Sequence, residues 1–473
     1  MPVPRRRTKI VATLGPATDA PGVLDELVAS GMSCARLNCS HGTHDDLRRR
    51  AAAVREASER AGRALGLLID LQGPKLRLAG ATVTRDVEAG DTFTFCGTAP
   101  PASDRHVEVE FDAFASLVTE RSELVIGDGV PRFSVQSISG DDVTATALSP
   151  GPLSANKGIN VTYARPELPA ITDKDLEDLK LAAELDADFV ALSFVRTAAD
   201  MEQLRALLDE HGLAARTIAK IEKVEAYDHL DEIIAVADGV MVARGDYGVE
   251  AGVARVPLMQ KDTIHRATQA GKLVITATQM LESMIHAPEP TRAEAADVAN
   301  AVIDGTSAVM LSAETSVGEY PVQAVRAMAE IAEAAEEAPF IHGRAKAAAK
   351  STTAHAVLHA AVELAAEVDA EALIIPSQTG AAPRAVSKYR PPRPIVALSH
   401  EPHVAAQLSL EWGVYATSMG AADSVDEMIE EALIAARERV GLEPGATVVL
   451  TAGRRTGTPG ATNLVMVREI PEE

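Results

Sequence analysis

The sequence predicts an α/β protein: a (β/α)8 barrel with an inserted all-β domain and a C-terminal α/β domain. Three observations predict this class. Short apolar runs alternate with helical patterns over most of the first 335 residues. One interval, between Leu71 and Phe189, is far too long for a normal βα connection. A second alternation of apolar runs and helical patterns follows the barrel region.

Eight apolar runs supply the barrel strands. They are continuously hydrophobic, which is typical of parallel strands covered on both faces. The runs occupy residues 10–14, 34–37, 65–71, 189–194, 217–221, 239–243, 273–277 and 308–311. Intervening segments have apolar residues at helical spacing, as at 175–186, 197–211 and 256–270. Eight such units predict a barrel, although periodicity alone also allows an open doubly wound sheet.

The long interval predicts a domain inserted after the third barrel strand. Residues 81–147 contain short strand patterns separated by turn sequences, and such a domain at the active-site face can act as a lid. The later strand patterns lie at 372–375, 395–398, 414–417, 447–450 and 464–467, with helical patterns at 355–368 and 424–440. We therefore expect a catalytic barrel at 1–78 and 160–339, a lid domain at 79–159 and an α/β regulatory domain at 340–473.

Composition excludes several classes of protein. The 473 residues carry 45 Lys and Arg against 68 Asp and Glu, a formal charge of −23, which disfavours a general nucleic-acid or anionic-membrane binder. The three cysteines form no CxxC pair, so neither a disulfide framework nor a structural zinc site is expected. No apolar run approaches the roughly 20 residues of a membrane span. We expect a cytoplasmic protein without a signal peptide.

Polar residues at the ends of the apolar runs carry the chemistry, because barrel enzymes place their active sites there. Lys220 and Glu222 fall on the same side of one strand, since side chains alternate. A structural ion pair is the alternative interpretation. The next unit adds a second carboxylate, Asp246, beside Gly245, where a ligand can approach the backbone closely. Two carboxylates with room for water and phosphate oxygens suit Mg²⁺ or Mn²⁺.

Cations near this pair indicate an anionic phosphorylated substrate. They are Arg36, Arg77 and Lys220, and phosphoryl transfer asks a protein chiefly for positioning and charge neutralisation. The sequence has neither a P-loop nor a kinase-type glycine-rich loop. Three more polar residues follow strand runs and are either structural or part of the site: Ser193, Ser312 and Glu314.

Seven motifs make the chain resemble the pyruvate kinase family over nearly its whole length. They are TKIVATLGP at 8–16, ARLNCSHG at 35–42, DLQGPKLR at 70–77, IAKIE at 218–222, MVARGD at 241–246, TATQMLESM at 276–284 and MLSAET at 310–315. The resemblance implies transfer of phosphate from phosphoenolpyruvate to ADP, giving pyruvate and ATP in the last step of glycolysis. It also implies a homotetramer.

The resemblance implies roles for individual residues. Lys220, Thr278 and Arg36 would be catalytic, with Lys220 stabilising the transferring phosphoryl group and the enolate. The substrate-binding set would be Arg36, Lys220, Gly245, Asp246 and Thr278. Glu222 and Asp246 would hold the divalent metal. The nucleotide-contacting positions would be Asn38, Cys39, Ser40, His41, Arg77 and Lys157.

The family generally also uses potassium, whose ligand positions here are Asn38, Ser40, Asp70 and the carbonyl of Leu71. The third-strand motif is similar to that of the branch that does not need potassium. The ammonium of Lys75 could supply the charge that potassium otherwise brings. The alternative is a solvated Lys75 and a bound potassium ion.

The C-terminal domain of the family commonly carries an allosteric phosphate site. The corresponding loop here offers Ser377, Thr379, Gly380 and Arg384, and it favours a monophosphate effector such as AMP or a sugar monophosphate. Two other classes stay open on the residues alone. One is a metal-dependent barrel lyase or aldolase acting on a pyruvate-like enolate; the other is an inactive scaffold protein.

Overall fold

The structure is a computed structural model that describes residues 6–80, 82, 84–97, 105–127, 129–162, 169–338, 352–453 and 462–472. Eight parallel strands close into a barrel because the first strand pairs with both the second and the eighth. This closure confirms the predicted fold class and excludes the open sheet. The barrel strands are Lys9–Thr13, Cys34–Asn38, Gly66–Asp70, Phe189–Leu192, Arg216–Ile221, Gly239–Ala243, Leu273–Ala277 and Ala308–Leu311.

Helices surround the barrel. Several begin at a capping box, as where the Thr172 hydroxyl accepts the Asp175 N–H and the Asp175 carboxylate accepts the Thr172 N–H. The barrel helices are Val23–Ala29, His44–Ala61, Asp173–Glu184, Ala198–Glu210, Val224–Asp228, Leu230–Val236, Arg244–Ala251, Val256–Gln269, Arg292–Asp304, Ala313–Ser316 and Pro321–Glu336. Short 3-10 turns lie at Pro16–Thr18 and Glu282–Ile285.

The barrel has an inner and an outer hydrophobic core because strand side chains alternate. On the first strand, Ile10 and Ala12 pack outward against the helices, whereas Val11 packs into the lumen. Leu410 of the C-terminal domain joins the inner cluster. A Cβ at Gly66 would lie 2.6 Å from Ser409 Oγ, so glycine lets the chain around Leu410 approach the barrel closely.

The insertion after the third barrel strand is an all-β domain with its own core, in which Phe95 and Phe133 pack edge to face. Its strands are Arg85–Val87, Thr92–Cys96, His106–Glu108, Glu123–Ile126, Arg132–Ser139, Asp142–Ala147, Gly151–Leu153 and Ile159–Val161, with a short helix at Phe114–Leu117. Six of these strands form one sheet, and Arg85–Val87 pairs with Gly151–Leu153 in a second. We call this domain the lid.

The C-terminal domain is a five-stranded sheet whose last strand is antiparallel. Its strands, in spatial order, are Val414–Ser418, Ile395–Ser399, Ala372–Pro376, Thr447–Gly453 and Thr462–Glu469. Its helices are Thr353–Glu367, Ala381–Ser387, Pro402–Gln407 and Val425–Ala435, with a 3-10 turn at Leu408–Leu410. The expected boundary between residues 339 and 340 lies outside the described residues.

Polar contacts fix this domain against the barrel. A buried ion pair joins Arg216, at the start of the fifth barrel strand, to Glu411. The Lys9 ammonium, on the first barrel strand, donates to the carbonyl of Val414 at 2.6 Å.

Two predicted bounds were wrong. The apolar run at 189–194 is a strand only to Leu192, since Phe194 has a φ of +56°, which no strand accommodates. The helical pattern at 424–440 is an α-helix only to Ala435 and continues as a π-helical turn, Ala436–Val440. In the part of the chain that the structure describes, no helix combines the length and apolarity needed to cross a membrane.

Candidate active site

Strand alternation places three charged side chains in the barrel lumen. Cys34, Leu68 and Ile218 belong to the inner cluster of the second, third and fifth strands. The residues two positions further along these strands are Arg36, Asp70 and Lys220. Each therefore also faces the lumen, close to the carboxyl end of its strand, and each is at most 9% exposed.

These three residues form one ion-pair network. Arg36 Nε donates to Asp70 Oδ2 at 2.7 Å, and Arg36 Nη1 donates to the Thr13 hydroxyl at 2.9 Å. Lys220 Nζ lies 3.2 Å from Asp70 Oδ1 and 3.1 Å from Glu222 Oε1. Glu222 Oε2 accepts the backbone N–H of Phe194 at 2.8 Å. Four charged groups, three on strands and Glu222 just after the fifth strand, thus share one buried site.

Burial and mutual attraction act in opposite directions on these groups. Burial alone would lower the pKa of Lys220, but Asp70 and Glu222 outweigh it and hold that pKa above its ordinary value. Burial likewise works to raise the pKa of Asp70, which the charges of Lys220 and Arg36 nevertheless hold below its usual range. Lys220 is therefore cationic and Asp70 anionic at neutral pH.

Glu222 and Asp246 fit a divalent cation. Burial raises the pKa of Glu222, and the charge of Asp246 raises it further despite the opposing effect of Lys220. Two carboxylates that repel each other, Glu222 buried and Asp246 partly exposed to the cavity, are a donor set that a hard divalent ion stabilises. Among the described residues, no group of three or more His, Cys, Asp or Glu side chains is arranged to hold a metal. The remaining ligands would then be water and substrate oxygens.

Thr278 and Gly245 are joined across two adjacent strand ends. The Gly245 N–H donates to the Thr278 hydroxyl at 2.8 Å, and that hydroxyl donates to the Ala277 carbonyl at 2.7 Å. Thr278 has a φ of +66°, a strained backbone conformation for a β-branched residue. Arg244 stabilises it, because Arg244 Nη2 donates to the Thr278 carbonyl at 2.6 Å. This contact was not anticipated from the sequence, which gave Arg244 no role.

The three residues left open by the sequence differ in their surroundings. Ser193 accepts a hydrogen bond from Lys220 Nζ at 2.7 Å and donates to the Leu71 carbonyl at 2.7 Å. Glu314 is fully buried and accepts the backbone N–H groups of Leu281 and Ser312 at 3.1 and 2.7 Å, so it holds two loops together. The Ser312 hydroxyl is buried and has no hydrogen-bond partner among the described residues.

Two of the oxygens at the monovalent-cation positions already accept hydrogen bonds. Asn38 Oδ1 accepts the Ser40 N–H at 3.0 Å, and the Leu71 carbonyl accepts the Ser193 hydroxyl. Asp70 Oδ1 accepts no hydrogen bond within the described part of the chain, and the Lys220 ammonium lies beside it. Lys75 is exposed.

The predicted nucleotide positions form a cationic region beside the network. Burial lowers the pKa of His41, and the charges of Lys75, Arg77 and Arg36 lower it further. Arg77 Nη1 donates to the Asn156 carbonyl at 3.1 Å, next to Lys157 of the lid. Cys39 differs from the others, since its side chain is 3% exposed and packs in the barrel core, and burial raises its thiol pKa.

A cavity of about 660 Å³ lies between the lid and the mouth of the barrel. Its wall includes Lys75, Arg77 and Asp246 from the predicted site, together with Lys223 and Glu250, which the sequence did not single out. The cavity therefore joins the cationic region to one of the two paired carboxylates and is large enough for a nucleotide-sized ligand.

The predicted effector residues lie in the C-terminal domain, apart from the barrel site: Ser377, Thr379 and Gly380 in one loop, and Arg384 on the helix Ala381–Ser387 that follows it. Ser377 Oγ accepts the Gly380 N–H at 3.0 Å, and Arg384 Nη2 donates to the Thr379 carbonyl at 2.6 Å. Burial lowers the pKa of Arg384 to about 10, so the guanidinium is still cationic at neutral pH.

The closed barrel, its inserted lid and the charged strand ends define an α/β-barrel enzyme. The family model "Pyruvate kinase, barrel domain" matches residues 5–325, and "Pyruvate kinase, alpha/beta domain" matches residues 355–468. The chain belongs to the pyruvate kinase family. Its similar relatives include a protein named pyruvate kinase from Mycobacterium tuberculosis, 42% identical over 99% of both chains. Another is the pyruvate kinase of Geobacillus stearothermophilus, 39% identical over 99% of this chain and 81% of the relative.

Proposed function

We propose that this chain transfers the phosphoryl group of phosphoenolpyruvate to ADP. The bond between phosphorus and the enol oxygen breaks, and a bond between phosphorus and a terminal oxygen of ADP forms. The enolate left behind takes up a proton at carbon and becomes pyruvate. The observation that carries this proposal is the buried network of Arg36, Asp70, Lys220 and Glu222 in a chain of this family.

Each residue of the network has a role in this reaction. Lys220 points its ammonium to the position of the transferring phosphoryl group and the developing enolate oxygen. Arg36, held by Asp70 and Thr13, binds the phosphate with the rest of its guanidinium. The backbone at Gly245 and Asp246, with Thr278, binds the carboxylate of phosphoenolpyruvate, and the Thr278 hydroxyl lies on the proton path to the enolate carbon.

Glu222 and Asp246 would hold Mg²⁺ or Mn²⁺. Such an ion would supply positive charge against the phosphoryl oxygens. Glu222 is buried and is held by the Phe194 N–H, whereas Asp246 lies in the first turn of helix Arg244–Ala251 and lines the cavity.

Potassium independence is also proposed. Lys220 and Arg36 already balance the charge of Asp70, and Asn38 Oδ1 and the Leu71 carbonyl each accept an internal hydrogen bond. The ammonium of Lys75 adds a positive charge to the same region, since it lowers the pKa of His41.

The C-terminal loop supports a proposed effector site for a single phosphate. The Ser377 and Thr379 hydroxyls lie on one loop, the Arg384 guanidinium reaches that loop from the following helix, and AMP or a sugar monophosphate would fit these donors. A homotetramer and the domain division at 78/79, 159/160 and 339/340 stay predictions. Separate hydrophobic cores in the barrel, the lid and the C-terminal sheet support three domains. The lid core includes Leu78 and Val161, so the lid extends beyond the expected residues 79–159 at both ends.

The deciding experiment measures ATP formed from phosphoenolpyruvate and ADP with Mg²⁺ in potassium-free buffer, then with potassium. Turnover that requires both substrates and is unaffected by potassium supports the whole proposal. Turnover only with potassium keeps the reaction and removes the role of Lys75. Consumption of phosphoenolpyruvate without ADP would instead favour a lyase.

A further inference from the structure

A lysine next to the network joins the lid to the mouth of the barrel. The Lys223 ammonium donates to Asn160 Oδ1 at 2.8 Å and lies 3.0 Å from Glu250 Oε2. Asn160 Nδ2 also donates to Glu250 Oε2, at 3.3 Å, so the three side chains close a triangle. The Lys223 and Glu250 side chains are only 18% and 11% exposed, so water competes weakly for these contacts.

Asn160 is a rigid part of the lid. It is the central residue of strand Ile159–Val161 and lies opposite Val125 in the six-stranded sheet. Ile159 and Val161 on either side of it are buried in the lid core. Because strand side chains alternate, the Asn160 amide points away from that core, toward the barrel.

The other two residues lie on the segments that carry the proposed metal ligands. Lys223 directly follows Glu222. Glu250 is four residues after Asp246 on helix Arg244–Ala251, so both lie on the same helical face, one turn apart. The triangle therefore connects the lid to both carboxylate-bearing segments at once.

We propose that Lys223 is a positioning residue that fixes the lid over the barrel mouth and thereby sets the affinity for the nucleotide. The effect on nucleotide affinity rests on the proposed function, whereas the restraint on the lid does not. Lys157 of the lid is three residues before Asn160, and Arg77 donates to the carbonyl of Asn156. Release of the triangle displaces these nucleotide-side cations, whereas the phosphoenolpyruvate side is held by residues of the barrel alone.

The test compares Lys223→Met, Asn160→Ala and the double variant with the wild type, all as full chains. Lys261→Met is the matched control. Lys261 lies on the outer barrel helix Val256–Gln269, and its ammonium pairs with Asp304 at 2.6 Å, so this variant also loses a lysine ion pair but none to the lid. Without ligands, lid amides at 123–126 and 159–161 should exchange hydrogen about tenfold faster in both single variants. The double variant should exchange no faster than Asn160→Ala, because that variant already removes both lid contacts of the triangle, and Lys223→Arg should restore slow exchange.

With substrates, KM for ADP should rise about tenfold in Lys223→Met, while kcat and KM for phosphoenolpyruvate change less than about twofold. Unchanged lid exchange in both Lys223→Met and Asn160→Ala would overturn the contact as a restraint on the lid. Faster exchange with an unchanged KM for ADP would overturn the positioning role. A wild type that forms no ATP would defeat the proposed function, and the exchange comparison would still decide whether the lid is restrained.

Discussion

The ammonium of Lys220 donates a hydrogen bond to the hydroxyl of Ser193 at 2.7 Å, from the end of one barrel strand to the end of its neighbour. The same hydroxyl donates to the carbonyl of Leu71 at 2.7 Å. The single hydroxyl proton of Ser193 is therefore donated to the Leu71 carbonyl, and a lone pair of the same oxygen accepts the hydrogen bond from Lys220. The orientation of the ammonium depends on this serine as well as on the two carboxylates.

Replacing Ser193 with alanine should lower kcat about tenfold and change KM for either substrate less than about twofold, since one hydrogen bond to a charged group is lost. Ser193→Thr should recover most of the activity because it restores the hydroxyl. Steady-state kinetics check both variants. A fall in kcat that Ser193→Thr does not recover would indicate lost packing instead.

Lys220→Met should lower kcat by a factor of about 10³ or more, because the positive charge at the transferring group is lost. Asp70 keeps its ion pair with Arg36, so the far-ultraviolet circular dichroism spectrum should match that of the wild type. Near-normal turnover by a folded Lys220→Met variant would refute the role of this lysine. Lys261→Met again serves as the control for loss of a lysine elsewhere on the barrel.

Lys75→Glu should create a requirement for potassium. The substitution replaces a positive charge near His41 with a negative one, which a monovalent cation can then neutralise. ATP formation is measured with potassium and with tetramethylammonium at equal ionic strength, so that general salt effects cancel. A variant equally active in both salts contradicts the prediction.

The free energy of unfolding should depend on pH through Lys9. Burial lowers the pKa of this lysine from 10.5 to about 7, with Arg6 and Arg63 contributing in the same direction. Between pH about 7 and 10.5, Lys9 is protonated in the unfolded chain but not in the folded one, so the free energy of unfolding rises with pH. Below pH about 7 both states are protonated and this contribution is constant.

Lys9→Met should remove that part of the pH dependence. From pH 7 to 9 the wild type should gain about 2 kcal/mol of unfolding free energy relative to the variant. Denaturant unfolding at each pH measures this free energy, with the fluorescence of Trp412, the single tryptophan, as the signal. Trp412 is two residues from Val414, whose carbonyl accepts a hydrogen bond from Lys9, so the signal reports on the region around Lys9. Parallel curves for the two proteins across this range would show that Lys9 has the same pKa folded and unfolded.

Much of the fold could be predicted from hydrophobic patterning. The eight continuous runs predicted the barrel strands, because parallel strands buried on both faces are hydrophobic along their whole length. Patterning could not give the end of the strand at Leu192 or the π-helical turn at Ala436–Val440, since both depend on local backbone conformation. The motifs pointed to Arg36, Lys220, Glu222 and Asp246, whose residue types are rarely fully buried unless they are paired.

The sequence by itself determined the fold class, the family and the charged residues at the strand ends, because these follow from local periodicity and short motifs. Only the tertiary structure decided which residues from distant segments share a contact. Ser193 beside Lys220, Arg244 on the Thr278 carbonyl, and Lys223 between Asn160 and Glu250 are such contacts. These contacts form because barrel closure and lid packing bring together residues that are far apart in the sequence and share no regular spacing.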